Sequence, residues 1–228
     1  MQGKILTYKD LSKIKAGENN EKLVCLNSIT SDIICRYQKK DMLDYVGEDI
    51  FVRQKVAQML VEASQILKEK YPEYSLKVVY GYRHPEVQQK YFDNRKAELA
   101  SRYKNVQEED LIAKTHLFVA YPDVAGHIVG GAVDITITTP KGDLDMGTKI
   151  ADYSDEEKIQ TFCDNISDDQ KYNRKLLHDL MIKVGFAPFY GEWWHFSYGD
   201  KEWAAFYKHS RSLYSPIDFT LSTGYQVK

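Results

Sequence analysis

Cysteine is scarce in this chain, and the little that is present forms no recognisable pattern. The three cysteines, Cys25, Cys35 and Cys163, are odd in number, and none of them stands in a Cys-x-x-Cys spacing. A disulfide framework needs an even set, and a thiolate zinc site needs closely spaced pairs. The sequence therefore predicts neither, and we expect buried or idle thiols.

Long apolar runs and a signal-peptide core are missing as well. No stretch approaches the roughly 20 apolar residues that cross a bilayer. The segment from Met1 to Asp10 contains no apolar core of the kind that a leader carries. We expect a protein with no membrane span that acts in the cytoplasm as the sequence stands, or in the periplasm if a leader has been removed.

An excess of positive charge is the third absence. The 31 Lys and Arg residues are balanced by 33 Asp and Glu residues, which gives a formal charge of -2 without a basic block. Because phosphate backbones are bound by clustered Lys and Arg, nucleic acid is not an expected partner.

The 228 residues are 43% hydrophobic and can bury one core. We expect a single domain over residues 1–228, in which the polar stretch Lys15–Lys22 makes residues 1–22 a peripheral arm.

Periodic apolar residues predict three long helices. Between Glu48 and Lys70 these residues recur at spacings of three and four, which is typical of one buried helical face. A second helix is expected to begin at Pro85, a favourable first helical position, and to run to about residue 102. A third helix follows the capping-box sequence Ser167-Asp168-Asp169-Gln170 and ends at Gly185.

Alternating residues predict three strands, over residues 75–80, 132–137 and 193–198. In the second strand Val133, Ile135 and Ile137 share the core face, which leaves Asp134 on the opposite face. Glycines at 130 and 131 permit a tight approach or a positive φ just before that strand. The expected fold class is α+β, with a mostly antiparallel central sheet flanked by helices and a cleft on the open side of the sheet.

Four side chains suit a catalytic metal site. A catalytic zinc ion takes three imidazole or carboxylate ligands and keeps a fourth position for water. His127, Asp134 and His195 are the candidate ligands of one Zn²⁺ per chain. Glu192 is the candidate base, because zinc lowers the pKa of its water to roughly 7 and a nearby carboxylate can take the proton. Each residue alone also fits an ordinary structural role, and only their coincidence favours the metal.

The backbone position of Glu192 matters for this hypothesis. Residues three apart on an ideal strand face opposite sides, so Glu192 and His195 would diverge if both lay in the strand. We therefore expect Glu192 to lie in the bend after Gly191, before regular strand pairing begins, with its carboxylate turned towards the metal.

The pattern of His127, six residues, Asp134 and then Glu192-x-x-His195 resembles the D-alanyl-D-alanine dipeptidases, the M15 family of zinc peptidases that includes the vancomycin-resistance dipeptidases. The resemblance extends over about residues 45–207. It includes an arginine turn, a substrate loop and a closing segment, which are Gly81-Tyr82-Arg83, Asp143-Leu144-Asp145-Met146-Gly147-Thr148 and Trp193-Trp194-His195-Phe196-Ser197-Tyr198-Gly199.

This resemblance implies a hedgehog/DD-peptidase-like zinc fold and zinc-dependent hydrolysis of D-alanyl-D-alanine or a similar small dipeptide. It further implies that Glu192 is the general base, that Arg83 stabilises the oxyanion and that Asp145 pairs with the ammonium of the dipeptide. On the residues alone, Arg83 also fits a surface arginine, and Asp145 fits a loop aspartate bonded to local amides.

Two alternative functions stay open. A cell-wall D,D- or L,D-carboxypeptidase would use the same ligands on longer stem peptides and would need export. A non-enzymatic zinc-bearing binding module is the second alternative, because the hedgehog signalling domain resembles this fold. The presence of both Glu192 and Arg83 argues against it.

Some residues depart from the family pattern. Ala125 stands where many members have serine, which removes a polar contact expected near the substrate, and Tyr80 stands where aspartate is common. His84 separates Arg83 from Pro85, and it either touches the substrate or faces solvent. The remaining histidines are expected to be structural or exposed: His116, His178 and His209.

Overall fold

The structure is a computed structural model that describes residues 3–222 and 224–227. The helices are α1 (Tyr8–Leu11), α2 (Leu43–Val46), α3 (Gln54–Lys70), α4 (Pro85–Arg102), α5 (Glu108–His116), α6 (Asp168–Lys183) and α7 (Lys201–Phe206). The strands are β1 (Leu23–Cys25), β2 (Ile33–Cys35), β3 (Phe51–Arg53), β4 (Ser75–Tyr80), β5 (Ala132–Thr139), β6 (Gly142–Asp143), β7 (Ala187–Pro188), β8 (His195–Ser197), β9 (Ile217–Thr220) and β10 (Gly224–Val227). Within these ranges, no helix combines the length and the apolar character needed to span a membrane.

A six-stranded central sheet carries the fold. Its strands lie in the order β2-β4-β5-β8-β7, and β6 pairs with the end of β5. Only the pairing of β2 with β4 is parallel among the described strands of this sheet, and the others are antiparallel. Two small antiparallel sheets, β1 with β3 and β9 with β10, lie beside it. The α+β class and the mostly antiparallel sheet are therefore confirmed, with one parallel pair.

The core lies between one face of the central sheet and helices α3 and α6. Val133, Ile135 and Ile137 of β5 are fully buried in it, as the alternation predicts. The helices contribute apolar side chains at helical spacing: Val56, Leu60, Ala63 and Leu67 from α3, and Leu177, Leu180 and Met181 from α6. Burial of each Val, Leu or Met side chain among them contributes about 1.5–3 kcal/mol. Since β5 turns this face to the core, Asp134 projects from the opposite face.

Local signals locate several element ends. Helix α4 begins at Pro85, and α6 begins after Ser167, whose side chain and that of Gln170 form the predicted capping box. Gly185 follows α6 with φ +100°, the left-handed conformation that favours glycine. Gly130 has φ +71° and ends a short 3-10 turn, His127–Val129, directly before β5.

Two predicted bounds were wrong. The helix expected from residue 48 begins at Gln54, because residues 51–53 form β3 and pair with Leu23–Cys25. Val52 fits both a helical and a strand pattern, and this distant pairing decides between them. The strand expected over residues 193–198 is confined to His195–Ser197, and the residues before it form a turn.

Arg53 anchors the polar segment near the amino end to the body. Its buried guanidinium donates to the carbonyl of Val129 at 2.8 Å, forms an ion pair with Glu18 at 2.9 Å and donates to the carbonyl of Ser215 at 3.2 Å. The Glu18 carboxylate in turn accepts from the backbone N–H and the hydroxyl of Ser215. One side chain thus joins both terminal segments to the turn that carries His127.

The register of the central strands sets the position of the site. Asp134 is the direct partner of Tyr80 on β4 and of His195 on β8. Directly opposed residues on antiparallel strands have side chains on the same face about 5 Å apart. The sheet therefore brings residues of three strands together on the face away from the core.

Candidate metal centre

His127, Asp134 and His195 converge on one point. Asp134 Oδ1 lies 3.4 Å from His127 Nε2 and 3.1 Å from His195 Nδ1. One ligand atom from each residue lies within 4.8 Å of the others, and all three side chains are nearly buried. A tetrahedral zinc ion with bonds of about 2.0–2.1 Å holds its ligand atoms roughly 3.3 Å apart. The spacing and the donor types therefore fit zinc.

Hydrogen bonding orients His127 for this role. Its Nδ1 lies 2.7 Å from the carbonyl oxygen of Gly81, so Nδ1–H donates there and the lone pair of Nε2 points at the cluster. Metal-bound histidines characteristically make such a bond with their second nitrogen, which fixes the tautomer. Gly81 is the first residue of the predicted arginine turn, and the turn therefore supports the metal site directly.

His195 meets the cluster through the other ring nitrogen. Its Nδ1 faces Asp134, and its Nε2 faces Glu202 Oε2 at 3.9 Å. A metal on Nδ1 requires the ring proton on Nε2. Glu202, on the first turn of α7, is nearly buried and supplies the carboxylate on that side.

The charges of the cluster suit a cation. Burial lowers the pKa of His127 to about 4, against the attraction of Asp134. Burial opposes ionisation of Asp134 too, but the two imidazoles hold the pKa of its carboxyl well below its ordinary value. Asp134 also raises the pKa of His195 to about 9, against the effect of burial. A single positive charge is thus held beside the carboxylate, where a divalent ion would replace it and release the proton.

Glu192 lies in a turn beside this cluster, as expected. Its backbone N–H donates to Phe189 at 3.1 Å and its carbonyl accepts from His195 N–H at 3.3 Å, which places it before the β8 pairing. The carboxylate is buried and accepts a hydrogen bond from the Tyr153 hydroxyl at 3.0 Å. Burial raises the pKa of Glu192 to about 7. A carboxyl with a pKa near neutrality is suited to both accepting and donating a proton.

Arg83 enters the same cleft from the turn after β4. Its Nη1 donates to Gln88 Oε1 at 2.8 Å, and Gln88 Nε2 donates to the carbonyl of Ala120 at 2.7 Å. The guanidinium carbon lies 4.5 Å from the Tyr80 ring centroid and 5.2 Å from that of Tyr91. Its buried Nε–H has no hydrogen-bond partner among the described residues. The hydrogen bond to Gln88 and the two rings therefore hold the Arg83 guanidinium in place, and its Nε–H remains available to donate a hydrogen bond.

One cleft of about 160 Å³ contains these groups. Arg83, His127, Asp134, Glu192 and His195 line it together. The site residues predicted from the sequence are thus brought together, apart from Asp145.

Asp145 does not reach the cleft. Its carboxylate accepts from the backbone N–H of Gly147 and from Gln170 Nε2, both at 2.9 Å. It borders a separate depression formed with Thr148 and Asp152. This arrangement agrees with the alternative of a loop aspartate bonded to local amides and gives no support to pairing with a substrate ammonium.

The expectation for His84 was wrong in both of its forms. His84 is 4% exposed and does not line the cleft. Its Nδ1 accepts the N–H of Glu86, and its Nε2 bonds Asp218 at 3.0 Å. The residue is the N-cap of α4, so the extra residue before Pro85 has a structural purpose.

Of the other histidines, His116 lines the cleft but is buried and accepts the N–H of Tyr121.

Three other cleft residues were not predicted from the sequence. Tyr153, Glu202 and Lys39 all line the cleft but lie outside the metal-ligand pattern. Glu202 stands seven residues after His195, and a search for acidic residues near the ligands in the sequence could have found it. No local pattern identifies Tyr153 or Lys39.

Comparison with known proteins agrees with the site. The model of the family described as "Peptidase_M15: D-ala-D-ala dipeptidase" matches residues 19–212. A D-alanyl-D-alanine dipeptidase of Synechocystis sp. is 32% identical over 185 residues, which is 71% of this chain and 74% of the relative. A D-alanyl-D-alanine dipeptidase of Enterococcus faecium is 29% identical over 103 residues, 44% of this chain and 48% of the relative.

Solved structures are more distant. VanYB in complex with D-alanine-D-alanine has a TM-score of 0.44 and 19% identity, over 82% of this chain and 86% of that chain. The LdcB LD-carboxypeptidase has a TM-score of 0.46 and 21% identity, over 85% of this chain and 77% of that one. The family assignment rests on the sequence matches.

Proposed function

This chain belongs to the D-ala-D-ala dipeptidase family of the M15 peptidases and is a metallopeptidase, and we propose that it hydrolyses D-alanyl-D-alanine or a similarly small dipeptide with zinc as its cofactor. The observation that supports this most strongly is the convergence in one cleft of three metal-ligand side chains, a buried carboxylate and a buried guanidinium.

His127 through Nε2, Asp134 through Oδ1 and His195 through Nδ1 would hold the ion. Bound zinc lowers the pKa of a coordinated water to roughly 7 and polarises a carbonyl group. The hydrogen bond from His127 to Gly81 fixes one ligand before metal arrives, which reduces the cost of assembling the site.

Glu192 moves the proton. Its carboxylate accepts the proton that the attacking water loses as its oxygen bonds to the carbonyl carbon. It then donates that proton to the nitrogen of the departing amino acid as the C–N bond breaks. The Tyr153 hydroxyl, 3.0 Å from Glu192 Oε1, limits the carboxylate to one orientation through both transfers.

Arg83 stabilises the negative charge that develops on the carbonyl oxygen. Its Nε–H is buried without a partner among the described residues, and the guanidinium is fixed by Gln88. A charged donor that is oriented in advance in a water-poor cleft stabilises such an oxyanion without reorganising during the reaction.

The test is cleavage of a peptide panel by the purified chain with zinc and after chelation. D-Ala-D-Ala should be cleaved faster than L-Ala-L-Ala and faster than the terminal bond of a stem pentapeptide. Chelation should abolish cleavage and added zinc should restore it. Cleavage that survives chelation contradicts the metal mechanism, and a preference for the pentapeptide would assign a carboxypeptidase instead.

A further inference from the structure

The cleft contains more charged groups than metal binding and proton transfer require. Its carboxylates are Asp134, Glu192 and Glu202, and its cations are Arg83 and Lys39. Asp134 belongs to the metal cluster, and Arg83 is fixed by Gln88. Lys39 has no role in the mechanism described so far.

The ammonium of Lys39 lies over an aromatic ring, and Asp41, which accepts a hydrogen bond from the hydroxyl of that ring, is the carboxylate that attracts it most strongly. Its Nζ lies 4.7 Å from the centroid of the Tyr91 ring, which also contacts Arg83. Within the described ranges Lys39 forms no hydrogen bond and no ion pair with another side chain. Two cations thus share one aromatic ring at one side of the cleft, and a bound anion there would be attracted to both.

Lys39 also lies within electrostatic reach of the reaction centre. Burial and the Arg83 guanidinium lower the pKa of Lys39, while Asp41 and, to a smaller extent, Asp134 and Glu192 act in the opposite direction. Because Lys39 lines the same cleft as the ligands and Glu192, an anion bound by Lys39 would lie in the cleft that contains them. The cleft wall on the side of Gly126 presents only a methyl group, from Ala125, and offers no hydroxyl for such an anion.

We propose that Lys39 binds the free C-terminal carboxylate of the peptide substrate. This assignment rests on the proposed function, because the carboxylate in question is that of the C-terminal amino acid, which is released when the peptide bond is hydrolysed. Arg83 then stabilises the charge on the carbonyl oxygen, and Lys39 binds the C-terminal carboxylate. The enzyme is therefore selective for peptides that end in a free carboxylate. Peptide amides and esters lose this contact.

The experiment combines substitutions with a change in the substrate. Rates with D-Ala-D-Ala, its C-terminal amide and a stem pentapeptide are measured for wild type, Lys39→Met, Lys39→Arg and Lys40→Met. Lys40 is the matched control, because it is the adjacent lysine and does not line the cleft. Zinc content and Tm are measured for each variant.

A charged hydrogen bond of this kind corresponds to about 10- to 100-fold in kcat/KM. Lys39→Met should lose that factor on D-Ala-D-Ala, mainly through KM, and should lose little on the amide. Lys39→Arg should retain most of the activity, and Lys40→Met should match wild type. Zinc content should be unchanged throughout.

The possible failures are distinguishable. If wild type cleaves either peptide and Lys39→Met does so equally well, or loses the same factor on the amide, the role of Lys39 is refuted while the proposed function stands. If zinc-loaded wild type cleaves neither peptide, the proposed function fails and the Lys39 assignment fails with it.

Discussion

Replacing Glu202 should weaken zinc binding although Glu202 is not a ligand. Its Oε2 lies 3.9 Å from His195 Nε2, the nitrogen that carries the proton when Nδ1 binds metal. Burial raises the pKa of Glu202 to about 8. The figure for two unit charges at that distance, about 4 kcal/mol at an effective dielectric constant of about 20, therefore applies to the ionised carboxylate. A metal-bound imidazole carries only part of a unit charge, so the expected effect is smaller. Outer-shell carboxylates typically change metal affinity by about 10- to 100-fold, or about 1.4–2.8 kcal/mol.

The assay is competition for zinc with a chromophoric chelator at fixed pH. Glu202→Gln should raise the zinc dissociation constant about 10-fold, and Glu202→Ala should raise it towards 100-fold. Glu192→Gln is the matched control, because Glu192 is also a buried carboxylate of the cleft but bonds Tyr153. That variant should bind zinc like wild type and lose about 10²–10⁴ in turnover. Unchanged zinc affinity in both Glu202 variants would refute the reasoning.

Three further expectations follow from the same contacts. Arg83→Ala should lower kcat by about 10²–10³ at unchanged zinc content, and a loss confined to KM would contradict its assignment to the oxyanion. Asp145→Asn should leave kcat and KM near wild type, because Asp145 bonds Gly147 and Gln170 away from the cleft; a large rise in KM would restore its expected role. Burial lowers the pKa of His116 to about 4 from 6.5, so unfolded chains bind more protons between these pH values and stability falls on acidification. In urea titrations of chelated protein, the free energy of unfolding should fall between these pH values by up to about 3 kcal/mol more for wild type than for His116→Gln. Parallel plots of unfolding free energy against pH would contradict this.

The sequence predicts those elements whose signals are local. Pro85 marks the start of α4, and the Ser167 capping box with Gly185 bounds α6, because each acts within a few residues. The strand at residues 51–53 was missed because its identity depends on pairing with Leu23–Cys25, nearly thirty residues earlier. Apolar residues such as these fit both a helical and a strand pattern, and neither pattern shows which distant strand they pair with.

The site divides in the same way. His127, Asp134, Glu192 and His195 were predicted because metal chemistry restricts the residue types and because their pattern resembles that of the D-alanyl-D-alanine dipeptidases. Lys39 and Glu202 were not predicted, since a lysine or glutamate in a mixed segment is usually solvated. Their significance arises only when β8, α7 and the segment after β2 are folded around one cleft. The role of Asp145 stays a prediction that rests on the family resemblance, because its carboxylate bonds Gly147 and Gln170 in the structure.

The register that pairs Asp134 with both Tyr80 and His195 limits how this part of the chain can diverge. A deletion or insertion of one residue in β5 would exchange its two faces, so that Ile135 would enter the catalytic cleft and the carboxylate would enter the apolar interior. Substitutions on β4, β5 and β8 that keep the metal ligands and the apolar face are therefore tolerable, whereas changes of length are not. Variation in length among descendants of this enzyme should accumulate in the surface connections and leave these three strands with a constant number of residues.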